Sequence, residues 1–141
     1  MFKYCVWFKL KDNHIINRQI KQYAKVFNTQ SFPAHITLRH SMEYEEAMSY
    51  KYMIPPSYEP IGAPVMTCTE VDNKKFYAIE QPLTMNAHVS LAYRFEPFTP
   101  AELSVVSRIS RIFSQDMEIC VADCSKSIDK WSVVYKMVKS K

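Results

Sequence analysis

The stretch Ala34-His35-Ile36-Thr37-Leu38-Arg39 reads AHITLR, and Ala87-His88-Val89-Ser90-Leu91-Ala92 reads AHVSLA. Both follow the order histidine, aliphatic, hydroxyl, aliphatic, and together they hold two of the chain's four histidines. In an extended strand, side chains alternate between faces. His35, Thr37 and Arg39 then point one way, with Ile36 and Leu38 opposite. His88 and Ser90 likewise share a face, with Val89 and Leu91 behind them. The aliphatic residues anchor each strand in a core, and each open face presents an imidazole beside a hydroxyl. A single match of this kind carries little weight. Two of them arise by chance in about one protein in a thousand of this composition. His14 and His40 belong to no such pattern and read as ordinary polar residues.

Two such strands facing one cleft suit the cleavage of a phosphodiester. Histidine titrates near neutrality, so one ring can be a neutral base while its twin is a protonated acid. The hydroxyls of Thr37 and Ser90 can donate to phosphate oxygens and hold the phosphorus between the imidazoles. Charge that builds on those oxygens meets fixed donors. A ribose phosphodiester fits because a neighbouring hydroxyl can attack, or water can open a cyclic phosphate. A zinc site of His and Cys residues is disfavoured by the ligand spacings, so neither metal nor cofactor is expected.

The rest of the composition narrows the class. A chain of 141 residues is a one-domain length, 1–141, able to bury a core of its own. A single glycine, Gly62, excludes a glycine-rich phosphate loop, so turns must come from proline, Asn, Asp and Ser. The net charge of +4 suits a polyanionic substrate but is mild. Cys5, Cys68, Cys120 and Cys124 form no C-x-x-C pair and read as buried free thiols of a reducing compartment. The opening MFKYCVWFKLKDN carries lysines at 3, 9 and 11 and lacks the apolar run of a signal peptide or membrane span. A cytoplasmic monomer is expected.

Periodicity orders the elements. Lys3 to Leu10 reads as a strand, and Ile16, Ile20, Tyr23, Ala24 and Phe27 as a helix capped by Asn13. The first motif strand follows Pro33, and the prolines between Tyr44 and Pro64 argue for an irregular connection. Met66–Val71 and Lys75–Glu80 form a hairpin turning on Asp72-Asn73. Pro82 introduces the second motif strand, His88 to Tyr93. Thr99-Pro100-Ala101-Glu102 is a capping box, with Leu103, Val106, Ile109 and Phe113 continuing an apolar helix face. Strands at Met117–Ala122 and Trp131–Val138 close the chain, and Trp131 reads as core. The sum is an α+β fold with mainly antiparallel sheets and an internal pseudo-repeat.

With HITL at 35–38 and HVSL at 88–91, the chain resembles the 2H phosphoesterase superfamily, named for two H-Φ-[ST]-Φ motifs on paired strands. The layout of strands and helices extends the resemblance over nearly the whole chain. It implies a bilobed fold in which two antiparallel sheets flank a central cleft, with helices outside. It also implies metal-independent phosphodiester cleavage by His35, Thr37, His88 and Ser90. Tyr93, five residues after the second histidine, matches a position where relatives resembling cyclic phosphodiesterases carry Tyr and others Arg. The motif spacing, 88 − 35 = 53 residues, is short for the family and bears on the loops over the cleft. Among the subclasses, the chain is most similar to compact viral domains that cleave 2′,5′-oligoadenylate and so blunt a host RNase L type response. The alternatives are a 2′,3′-cyclic phosphodiesterase of RNA ends, a phage-type hydrolase of cyclic oligonucleotide signals, and a non-catalytic nucleotide- or RNA-binding module. Arg39 could pair with a phosphate, and Tyr4 or Trp7 on the first strand could stack a base.

Overall fold

The computed structural model describes residues 4–71, 73–123 and 132–136. Asp72, Cys124 and Trp131, named above, lie outside the described residues. Strand β1 (Tyr4–Leu10) is buried on both sides, and its two faces belong to different clusters. Val6, Phe8 and Leu10 enter the main core, whereas Cys5 and Trp7 join Cys120 and Ala122 on the opposite face. That position follows from pairing: β1 runs antiparallel to β2 (His35–Met42) on one side and to β6 (Met117–Asp123) on the other. With β7 (Ser132–Lys136) beyond β6, the sheet order is β2-β1-β6-β7. A second sheet holds β3 (Val65–Val71), β4 (Lys74–Pro82) and β5 (His88–Arg94), again antiparallel, in the order β3-β4-β5. The fold is α+β with two antiparallel sheets, and one core cluster takes residues from both.

Helix α1 (Ile15–Phe27) buries Ile16, Ile20, Tyr23, Ala24 and Phe27, the apolar stripe of its sequence. Its cap is His14 and not Asn13: the imidazole Nδ1 accepts from Ile16 N at 3.1 Å. Within the proline-rich connection a single short helix forms, α2 (Tyr44–Met48), which buries Ala47. The β3–β4 turn includes Asn73 at φ 64, where asparagine tolerates the left-handed region. Pro82 ends β4 and pairs with His88, so it closes the preceding strand and does not open the next.

The capping box forms as its residues dictate: Thr99 accepts from Glu102 N, and the Glu102 carboxylate accepts from Thr99 N. Yet α3 spans only Pro100–Ser104. Val105, Val106 and Ser107 have poor helix propensity, and the next backbone donors find partners in the core. Ser107 N donates to Tyr23 Oη at 3.2 Å and Ile109 N to the buried amide of Gln81 at 3.3 Å. Val106 and Ile109 are buried as expected, but from irregular chain; Phe113 is exposed. Cys5 and Cys120 are buried, whereas Cys68 is exposed, a departure from the sequence expectation. Among the described residues no helix is long and apolar enough to cross a membrane.

Candidate active site

Both motif strands carry the same irregularity. Along β1 and β2, Trp7 pairs with Thr37 and Val6 with Arg39, so Leu38 is skipped. Along β4 and β5, Glu80 pairs with Ser90 and Ile79 with Ala92, so Leu91 is skipped. The extra residue is the fourth of the motif each time. A bulge of this kind turns the following side chains to the other face. It leaves Ile36, Val89 and Leu91 in the shared core with Leu38 packed against it, and puts the imidazoles and hydroxyls on the opposite face.

The bulges also relocate two residues. Strict alternation would put Arg39 beside His35 and Thr37; the bulge instead sets it opposite Val6, whose side chain enters the core. Arg39 is exposed there and does not share the histidine's face. Tyr93 moves the other way. Alternation would point it away from His88 and Ser90, but past the bulge it pairs with Ala78, on the face that carries Glu80 and Ser90. Its ring then lies 4.8 Å from Phe32, which in turn meets His35 edge-on at 6.4 Å.

His35 is held from every side. Its backbone neighbour Ala34 donates to Asn17 Oδ1 at 2.8 Å, and Asn17, buried on α1, donates in turn to Lys11 O at 2.8 Å. The ring stacks on Trp7 with centroids 3.7 Å apart and 16° between planes. Its Nδ1 lies 2.7 Å from Pro33 O, an acceptor only, so the proton sits on Nδ1 and the lone pair on Nε2. Burial pushes its pKa down to about 4, against the Pro33 bond, with His88 and Lys9 adding to the depression. The ring is therefore neutral at pH 7. Trp7, 1% exposed and covered by this imidazole, serves as its platform and offers no open face to a base. Tyr4 lies on the core side of β1 and meets Tyr44 edge-on at 5.3 Å, so it does not reach the motif face either.

His88 has the opposite setting. Its side chain is 46% exposed, and Nε2 lies 3.6 Å from Glu80 Oε1. That carboxylate accepts from Thr67 Oγ1 at 2.9 Å. The hydroxyls differ in the same direction but crosswise: Ser90, beside the exposed histidine, is buried, and Thr37, beside the buried one, is exposed. β2 and β5 pack against each other across the two sheets.

Sequence reasoning missed three residues here. Glu80 is one, Phe32 another, and the third is Lys9, which pairs with His35 in register and binds Asp12 at 2.7 Å. None lies in a motif, and only cross-strand register or loop packing brings them in. His14 caps α1 and sits 3.7 Å from Asp116, while His40 is near Ser41 at the exposed end of β2. Among the described residues no group of three or more His, Cys, Asp and Glu side chains is placed to hold a metal ion. No family model, no curated protein and no solved structure matches the chain.

Proposed function

We propose that the chain is a 2H phosphoesterase that cleaves short 2′,5′-linked oligoadenylates without a metal. The observation that carries this reading is that two H-Φ-[ST]-Φ strands from different sheets, each bulged at the fourth motif residue, pack against each other. The environments support one division of roles. His35, neutral with its lone pair on Nε2, takes the proton from the attacking oxygen, a neighbouring ribose hydroxyl or a water. His88, exposed and beside a carboxylate, gives a proton to the leaving 5′-oxygen. One proton is taken and one returned, so the step balances. The hydroxyls of Thr37 and Ser90 donate to the non-bridging phosphate oxygens and hold the phosphorus in line. Acting on 2′,5′-oligoadenylate, such an enzyme would remove the signal that activates an RNase L type host response.

The test is an incubation, with EDTA present, against 2′,5′-linked triadenylate, its 3′,5′ isomer and 2′,3′-cyclic AMP, with products resolved by chromatography. Cleavage of the 2′,5′ trimer alone is the expected result, unchanged by chelation. Opening of the cyclic monophosphate alone would transfer the protein to RNA-end processing. Inhibition by EDTA that added zinc reverses would overturn the metal-free mechanism. Intact oligonucleotides that nonetheless bind would make the chain a binding module.

A further inference from the structure

The motif face of the second sheet does not end at the motif. Register lays out, in order, Pro82 with His88, Glu80 with Ser90, and Ala78 with Tyr93. Phe76 continues the same face of β4, and its ring lies 4.4 Å from that of Phe95, which is 57% exposed just beyond β5. At the rise of an extended strand, Tyr93 stands about 10 Å from Ser90. There a cavity of about 710 Å³ opens, bordered by Phe76, Tyr93 and Phe95 on the sheet side and by Asn28, Thr29 and Gln30 from the loop after α1. That size is within the ordinary range of ligand sites.

Resting on the phosphodiesterase reading, we infer that this cavity is a nucleobase subsite, which takes the base of the nucleotide next to the scissile phosphate. Flat aromatic rings, one of them openly exposed, offer stacking surfaces for any base. The amides of Asn28 and Gln30 combine donor and acceptor at the rim, matching the mixed edge of a base. The charge around the cavity is mixed, with Glu96 at its border and cations beyond it. A smaller hollow of about 410 Å³ shares Asn28 and Thr29 and adds Lys21 and Lys25, two cations where a nucleotide's further phosphates would run. Arg94 also borders the cavity, but its guanidinium is held by Glu102 in two bonds of 2.6 and 2.7 Å and serves the fold. The subsite thus replaces Tyr4 and Trp7, which are turned to the core or covered by His35, as the place where a base is read.

The experiment is calorimetric titration with adenosine 5′-monophosphate and with ribose 5-phosphate, on the wild type, Phe95→Ala, Phe76→Ala and His88→Ala. The wild type is expected to prefer the nucleotide by tenfold or more. Either Phe variant should cut that preference about fivefold to a hundredfold, the range that loss of one stacked base allows. His88→Ala, which removes a group placed at the phosphate, should weaken both ligands together and leave their ratio unchanged. Equal binding of the two ligands, binding of neither, or a preference untouched in both Phe variants would overturn the subsite. Phe95 is exposed, so its variant tests the idea even if Phe76→Ala fails to fold. Base preference without turnover of any phosphodiester would sink the catalytic reading alone, whereas cleavage of the 2′,5′ trimer together with equal binding of the two ligands would sink the subsite alone.

Discussion

His35 and His88 begin the same four-residue pattern, on strands bulged at the same place, and the fold treats them in opposite ways. One is buried on a tryptophan, fixed by a backbone carbonyl and held neutral. The other stands half in water beside a carboxylate. A duplicated motif thus supplies two copies of one side chain in different surroundings, and on the proposed mechanism those surroundings divide the labour between them. Pairs of titratable groups whose environments differ mark acid and base assignments in general. Removal of either ring is the strongest test of that division. His35→Ala and His88→Ala should each lose on the order of a hundredfold to ten-thousandfold in kcat/KM while circular dichroism shows them folded. The double variant should lose far less than the product, because on the proposed mechanism the two rings act as a unit. Near-wild-type rates in either single variant would end the comparison as a statement about chemistry.

The second test reads the buried ring through pH. In the unfolded chain a histidine has its ordinary pKa of 6.5, and in the native state His35 is lowered to about 4. Between those values the unfolded state binds a proton that the native state refuses, so stability rises with pH across the window. It is full above about pH 6.5 and falls by about 3 kcal/mol as pH drops to 4, at 1.36 kcal/mol per pH unit. Urea midpoints of wild type and His35→Asn between pH 4 and 7 should therefore converge as pH falls. The acid limb of kcat/KM should fall near pH 4, and that of kcat at higher pH, because the bound phosphodiester anion favours the protonated ring. An acid limb of kcat/KM at the ordinary histidine value would mean that the ring is solvated in the free protein.

Much of this is legible in the sequence alone, and the division is physical. The two motifs, the α1 stripe and the Thr99 capping box are local patterns, and local rules read them correctly. Which face Arg39 and Tyr93 occupy was not legible, because the bulges at Leu38 and Leu91 are properties of strand pairing and leave no mark in the motif itself. The same holds for Glu80, which matters only because β4 pairs with β5. The end of α3 was misread because Tyr23 and Gln81, distant in sequence, supply the acceptors that let the chain leave the helix. Burial is the least local quantity of all. No reading of HITL against HVSL could say which histidine would be covered.

A third test asks what holds the buried copy in place. Asn17 bonds the backbone on both sides of the site, at Lys11 O and Ala34 N, and is itself buried. Asn17→Leu removes the amide and leaves both backbone groups without these bonds, at a cost of about 1–3 kcal/mol. Because Ala34 immediately precedes His35, kcat should fall more than binding weakens. The His88 side has no counterpart to this clamp among the described residues, so the effect belongs to one half of the comparison. Equal stability of the variant and wild type would show that the loop before β2 is fixed by Pro33 and by the Trp7 stack instead.

The smallest expected effect lies at the exposed copy. Glu80 Oε1 is 3.6 Å from His88 Nε2, with the two side chains 20% and 46% exposed, so water screens the pair. Exposed ion pairs contribute about 0.2–1 kcal/mol, which corresponds to at most about fivefold in rate. Glu80→Gln should therefore reduce kcat/KM by no more than that, and should do nothing further in a His88→Ala background, since its action runs through that ring. Glu80→Asp, which keeps the charge, should restore part of the loss. Thr67→Ala tests the same chain one step out, because its hydroxyl donates to the carboxylate oxygen that faces His88. The informative alternative is a gain: if Glu80→Gln lowers KM, the carboxylate repels the substrate phosphate more than it supports the imidazolium. His88 would then owe its acid role to exposure alone, and the difference between the two histidines would reduce to burial.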